Sequence, residues 1–353
     1  MMTYKETLFF IGKCLTINHE EHNKKIVESL LKEDAIDWDN VVKVSTAHYV
    51  FPALFCNLKR ADFLDYLPQD LMEYMQHITD LNRERNQQII EQAKEINELL
   101  LSHNITPIFL KGTGNLLEGL YYDIAERMVG DIDFLVSDEE FKKSIEILKS
   151  NGYSEFHKDR FDTTKFNRHY PKMIKENRIA SIEVHYKMVS DKQFSFFNYN
   201  FISKSLKKQN NFFSLSDENK IIMTSINRLF NDLGKATMSF NLRSSYDLFI
   251  LSQSTSPLNS IKKGLHFQDL NLFLFSSYKV LGSPKSIDFI ENQSTIAFYN
   301  KQIYFLLNPE QSKNIEKRTK FKNIFKYRAT LLFKSLFNKK MRKYIIQKIK
   351  SNF

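Results

Sequence analysis

Cysteine is nearly missing from this chain. Cys14 and Cys56 are the only two in 353 residues, and no CxxC spacing joins them. That gives no cysteine zinc site and no disulfide framework, and it suits a reducing cytoplasm. No apolar run approaches the length of a membrane span, and the N-terminus lacks the basic-then-apolar layout of a secretion signal. There is one tryptophan, Trp38, against 31 phenylalanines. Acidic residues are scarce at one end. Residues 313–353 hold fourteen Lys or Arg and a single acid, Glu316, a net +13. The whole chain carries +10, so the other 312 residues sum to −3. A near-neutral body with a basic tail says something about the tail's partners and little about the fold. Hydrophobic content of 42% and charged content of 26% are those of a soluble globular protein.

Glycine is also sparse, with nine in all, yet four of them fall in one stretch: Gly112, Gly114, Gly119 and Gly130. Residues 105–110 read as a short apolar strand that runs into Lys111-Gly112-Thr113-Gly114. A strand entering a glycine-containing turn and then a helix leaves backbone N–H groups free for an anion, and Lys111 adds a cation there. The stretch ends in Asp131-Ile132-Asp133-Phe134-Leu135-Val136. In a strand, alternate side chains share a face. Asp131 and Asp133 therefore point one way, and Ile132, Phe134 and Val136 point into the core. Paired carboxylates repel unless something compensates. A divalent cation is the usual compensation, and hard oxygen ligands suit Mg²⁺, with Mn²⁺ as the substitute. Arg127, just before the pair, could fork onto phosphate oxygens; the bland alternative is an ion pair with Asp123 or Glu126.

These features resemble the nucleotidyltransferases of the DNA polymerase β-like superfamily: Lys-Gly, a Tyr-containing helix, Arg, then Asp-Ile-Asp-hydrophobic. The branch they look most like is a bacterial group of uncharacterised nucleotidyltransferases, and the likeness runs over roughly residues 23–252. It implies an α+β fold, with a small mixed sheet and helices as the core, flanked by helical regions at both ends. It also implies a third carboxylate on a neighbouring strand, and Glu183 in Ile182-Glu183-Val184-His185 matches that position. Asp131, Asp133 and Glu183 are then the expected catalytic and metal-holding set. Lys111, Gly112, Thr113 and Arg127 are the expected nucleotide contacts. The superfamily's usual Gly-Ser turn lies closer to the acidic pair. Here Lys-Gly-Thr-Gly stands in its place, with a longer helix between.

Along the chain, residues 1–100 read as an N-terminal helical region, 101–205 as the core, 206–311 as a C-terminal helical region and 312–353 as a basic amphipathic tail. Residues 71–101 form the longest periodic run, with Met72, Met75, Ile78, Leu81, Ile89, Ala93, Ile96 and Leu100 on one face. His48 and His77 read as surface or core residues. Ser137 to Glu140 is a capping-box signature that opens a helix. Residues 153–157 suggest a strand. Residues 169–174 and 179–186 suggest a hairpin around Lys175-Glu176-Asn177-Arg178. His185 could orient Glu183 or a metal-bound water, against the plainer reading of a packed strand histidine. Residues 200–252 read as helical, with Arg243 and Asp247 as a surface i,i+4 pair.

The activity this implies is transfer of a nucleoside monophosphate from an NTP, ATP first among them, to a hydroxyl. The acceptor is a sugar or polysaccharide intermediate, a protein side chain or an RNA end. Two other readings stand beside it. One is a catalytically silent scaffold that binds nucleotide or a partner. The other is an anionic-surface binder led by the tail, whose Phe325, Leu332, Phe333, Leu336, Phe337, Met341, Ile345 and Ile349 recur at helical spacing. The expected home is the cytoplasm, with the tail able to reach the inner membrane face.

Overall fold

The computed structural model describes residues 2–156, 168–339, 342–343 and 345–346. Residue 157, the last of the expected strand 153–157, and Met341 and Ile349 of the tail stripe lie outside them. The first third is helical as its periodicity predicts: α1 (Tyr4–Cys14), α2 (Glu21–Lys32), α3 (Trp38–Ala47), α4 (Phe51–Arg60) and α5 (Gln69–Leu101). Pro52 sits in the first turn of α4, where a missing N–H breaks no helical bond. The core follows: β1 (Ile108–Phe109), α6 (Lys111–Leu117), β2 (Asp131–Leu135), α7 (Phe141–Ser150), β3 (Ser154–Glu155), β4 (Met173–Ile174), β5 (Ser181–His185), α8 (Tyr199–Ile202), β6 (Leu206–Gln209) and β7 (Phe212–Leu215). Then come α9 (Asp217–Ile226), α10 (Gly234–Thr237), α11 (Leu242–Ser252), α12 (Pro257–Lys262), α13 (Phe267–Val280), α14 (Gln293–Leu307) and α15 (Pro309–Ser335).

The seven strands form one mixed sheet in the order β3-β4-β5-β2-β1-β7-β6. β2 and β5 are parallel neighbours at its centre, and β1 runs antiparallel to β2. The sheet corrects two sequence expectations. Residues 206–215 are a hairpin, not part of a helical region. β7 pairs in parallel with β1, so the core extends past the expected boundary at 205. Strand β6 is polar (Leu-Lys-Lys-Gln), as an exposed edge strand should be, and that polarity hid it. The expected hairpin over 169–186 is shorter than its sequence suggests: β4 is two residues long, and an isolated bridge joins His169 to His185.

Helix α5 is the brace behind the site. Met75, Ile89, Ala93, Ile96 and Leu100 are buried as expected, but Leu81 is exposed. Thr79, Asn82 and Asn86 take the buried face over that turn. The reason is the neighbour they meet. Asn82 donates to the Ala125 carbonyl at 2.7 Å, and Asn86 donates to those of Ile124 and Arg127 at 2.5 and 2.7 Å. The irregular segment before β2 has carbonyls that need donors once buried, so amides replace apolar side chains there. Gln92 does the same for Ala180, at the entry to β5.

His48 is a core histidine. Its Nδ1 accepts the Leu242 N–H at 3.3 Å, so the ring proton sits on Nε2 and is donated to the Tyr4 hydroxyl at 3.0 Å. Burial, helped by the nearby Arg228 charge, lowers its pKa from 6.5 to about 4. The unfolded chain therefore takes up a proton that the folded chain refuses. Stability is unaffected above the unfolded value, falls as pH drops through the window between the two, and levels off below it. The expected loss across that window is on the order of 3 kcal/mol. Urea unfolding at stepped pH measures it. His48→Gln should flatten this part of the profile, and an unchanged slope would assign the proton elsewhere.

Candidate active site

The site is built where β1 hands over to α6. The chain turns at Lys111, whose φ of +52° lies in the left-handed region. For a lysine that is costly, and such residues collect at functional positions. The turn does not continue as a loop: α6 starts at Lys111 itself and ends at Leu117. The Tyr-containing helix expected after it is absent. Residues 118–130 are irregular apart from a 3₁₀ turn over Ile124–Glu126, capped by Asp123. Gly119, with φ +66°, turns the chain out of α6. The glycine that α6 cannot replace is Gly114, because a Cβ there would lie 2.7 Å from the Phe109 carbonyl oxygen. That close approach seats the helix on β1.

Parallel pairing of β2 and β5 sets Asp131 opposite Ser181, Asp133 opposite Glu183 and Leu135 opposite His185. Ile132, Phe134, Val136, Ile182 and Val184 are buried on the other face, as alternation predicts. Asp133 and Glu183 are buried and Asp131 is half-buried. The repulsion between them is compensated by the protein itself. Lys111 Nζ lies 2.6 Å from Asp133, and His185 Nε2 lies 2.9 Å from the same oxygen. Lys172 Nζ lies 2.6 Å from Asp131 and 3.5 Å from Glu183, and the Ser181 hydroxyl donates to Asp131. Burial works against a charge on Asp133, but Lys111 and His185 outweigh it and hold the carboxyl far below its ordinary range. Burial likewise opposes a charge on Glu183, and its contact with His185 carries it below the usual glutamate value. Both acids are therefore ionised at neutral pH. Lys172 has its pKa raised, the Asp131 bond overcoming its burial.

Beside the acids opens a cleft of about 250 Å³, lined by α6, the segment before β2, α9 and α11. Of the expected nucleotide contacts, Lys111, Gly112 and Arg127 line it. Thr113 is among neither the lining residues nor the exposed ones. It is buried, and its hydroxyl donates to the Asp131 carbonyl at 3.1 Å, so it secures α6 to β2. Asn115, two residues further along α6, lines the cleft instead. Arg127 pairs with neither Asp123 nor Glu126. Its Nε donates to both Asp247 oxygens, at 2.9 and 3.1 Å. Asp123 is bound by Arg83, and Glu126 by Arg60 and Tyr246. Asp247 is therefore no surface partner of Arg243. It is buried and also accepts the Tyr121 hydroxyl at 2.7 Å. The helical spacing of Arg243 and Asp247 is real, but a buried arginine 120 residues away captures the acid.

Three members of the site were not singled out by sequence: Lys172, Ser181 and Arg168. Ser181 had a legible signal, since it shares the Glu183 face of β5. Lys172 and Arg168 precede short or isolated pairings, where no periodicity marks a face.

The family described as uncharacterised nucleotidyltransferase matches residues 34–264. This chain belongs to it. The match takes in α4 and α5, the whole sheet, α9 and α11, and ends within the residues after α12. The chain is thus a transferase of the nucleotidyltransferase kind, with a mixed sheet and helical flanks. No curated protein and no solved structure matches it.

The donor set fits a divalent metal. Asp133, Glu183 and His185 each offer one ligand atom, all within 4.8 Å of one another. Two carboxylate oxygens favour Mg²⁺ or Mn²⁺, and the imidazole nitrogen widens the choice toward softer ions. Asp131 stands two residues before Asp133 on the same face of β2, outside this group, with its carboxylate held by Lys172 and Ser181. Among the described residues no helix is long and apolar enough to cross a membrane.

Proposed function

We propose that this protein moves a nucleoside monophosphate from an NTP, ATP first among them, to a hydroxyl acceptor. Mg²⁺ or Mn²⁺ would be held by Asp133 and Glu183, with Asp131 and His185 beside them. The observation that carries the reading is the in-register pairing of Asp133 and Glu183 on parallel central strands, with Asp131 and Asp133 lining a cleft that also holds cations. Bound metal supplies neutralisation of the phosphates and a lowered pKa for the acceptor hydroxyl. The chain's own groups do the rest. Glu183, ionised at neutral pH, accepts the acceptor's proton as its oxygen attacks the α-phosphate. Pyrophosphate leaves along the cleft. Lys111 and Lys172 stand in for external cations at Asp133 and Asp131, and each can turn to a phosphate oxygen when a metal takes its place. His185 orients Asp133 and Glu183. The acceptor is a sugar or polysaccharide intermediate, a protein side chain or an RNA end.

The test offers each NTP with Mg²⁺ or Mn²⁺ and fractionated lysate as acceptor. Label on the α-phosphate should pass to an acceptor while label on the γ-phosphate should not. Transfer of the γ label alone would make the protein a kinase and end this reading.

A separate observation favours a surface role for the tail in a cytoplasmic setting. Phe325, Leu332, Phe333, Leu336 and Phe337 are between 54% and 80% exposed on and just beyond α15, among its Lys and Arg residues. Aromatic side chains with no partner on the body, interleaved with positive charge, suit an anionic membrane surface. Removal of residues 320–353 should abolish sedimentation with phosphatidylserine vesicles at low salt and leave the melting temperature of the body unchanged. Retained vesicle binding would refute the surface role.

A further inference from the structure

Among the described residues five cationic side chains line the cleft, and three of them are matched. Lys111 meets Asp133, Arg127 meets Asp247, and Lys220 meets Glu118 and Asp217. Arg168 and Arg243 are not. Among the described residues neither makes an ion pair with a carboxylate. Arg168 donates one hydrogen bond, from Nη1 to the Met188 carbonyl at 3.1 Å. The Nε of Arg243 is buried and has no hydrogen-bond partner. Its guanidinium lies over the Tyr49 ring, 5.0 Å from the centroid. Asp133, Glu183 and Asp232 act on Arg168, and Asp247 and Asp232 on Arg243, without a direct ion pair to either. Burial presses both guanidinium groups toward the neutral form, and at Arg243 the Arg127 charge adds to it. A polar group removed from water without a partner is unfavourable. Arg243 with a partnerless Nε and Arg168 with a single backbone bond line one cleft, and both can take a ligand that brings negative charge.

The geometry points to Arg168 and Arg243 as a polyphosphate subsite that holds the β- and γ-phosphates of the NTP and then the leaving pyrophosphate. The assignment rests on the nucleotidyl-transfer reading only in calling the ligand an NTP. Planar guanidinium forks match phosphate oxygens two at a time. Asp133 and Glu183, whose charges reach Arg168 without pairing with it, are left for the α-phosphate and the metal. The subsite would therefore bind polyphosphate without any metal, and it would act on substrate affinity more than on the chemical step. It also explains why Arg243, on a helix far along the chain, turns into the cleft and leaves Asp247 to Arg127.

Inorganic tripolyphosphate is the probe. It is titrated into the full chain by calorimetry, in chelator and at about 0.3 M salt, where the exposed charges of the tail are screened. Wild type should bind. Arg243→Met and Arg168→Met should each weaken binding at least about ten-fold, the effect of losing a charge-assisted hydrogen bond. Arg243→Lys should fall between, since it keeps the charge and loses the fork. Asp133→Asn should bind no worse than wild type. Thermal melts check that each variant folds, and if Arg243→Met does not, the lysine variant and Arg168→Met carry the result. Equal affinity in wild type and the folded arginine variants, or no binding by wild type, overturns the subsite. Transfer of α-label by wild type is scored separately. Active protein with arginine-insensitive binding removes the subsite and leaves the activity. Arginine-dependent binding without transfer supports the subsite and removes the activity.

Discussion

Asp133→Asn should lower nucleotidyl transfer by at least about 10³-fold, the scale of several kcal/mol of charge stabilisation at a metal-assisted centre. The substitution keeps the shape of the side chain and removes one carboxylate from the group that can hold the metal. It should also cost stability, by about 1–3 kcal/mol, since Lys111 and His185 both lose a charged acceptor. From sequence alone the opposite follows, because removing one of two neighbouring acids should relieve repulsion. The structure reverses that sign: Asp133 has more favourable partners than unfavourable ones. The pH dependence follows from the depressed folded pKa. The stabilisation is complete above the unfolded aspartate value of about 4 and is lost as pH falls below it. The gap between wild-type and variant melting temperatures should therefore be full at neutral pH and close on acidification. An Asn variant as active as wild type would remove Asp133 from the chemistry. One that melts higher at pH 7 would show that repulsion outweighs the Lys111 and His185 bonds.

Asp247→Ala should destabilise the fold by about 3–5 kcal/mol, the usual result of breaking a buried ion pair from one side. Arg127 would be left charged and buried, and the Tyr121 hydroxyl would lose its acceptor. The pair fastens the segment before β2 to α11, so the damage should reach the site, with transfer lost alongside stability. Arg127→Met with Asp247→Leu removes both charges and should recover most of the loss in urea unfolding, because the cost belongs to the stranded partner. A single-variant loss below about 1 kcal/mol would mean that water reaches Arg127 and replaces the acid.

Much of the site was legible because strand alternation is a local rule. Ile132, Phe134, Ile182 and Val184 had to face one way, so Asp131, Asp133 and Glu183 had to face the other. The capping box expected at Ser137–Glu140 does not form: the two residues exchange hydrogen bonds within the turn before α7, and the helix's own N-cap, Glu140, has no side-chain cap bond. Asn151-Gly152 ends that helix, with Gly152 at φ +88°. The strand pair β6–β7 was not legible. A short edge hairpin with a polar first strand carries almost no periodic signal, and only its neighbour β1 makes it part of the sheet.

The sequence by itself determined the local facts: which residues lie on helices, which faces of β2 and β5 carry acids, and how unevenly charge is spread between body and tail. Those follow from backbone periodicity and composition, which act over a few residues. Tertiary structure alone decided who neutralises whom. Thr113 turned to a backbone carbonyl because α6 lies against β2. Asp247 went to Arg127 instead of Arg243, and Lys111 and Lys172 came to the acids. Each pairing joins residues from separate elements, 18 to 120 positions apart. A charge has no periodicity of its own. It goes to whichever opposite charge the packed backbone brings nearest, and where none arrives, as at Arg243, the vacancy marks a place for a ligand.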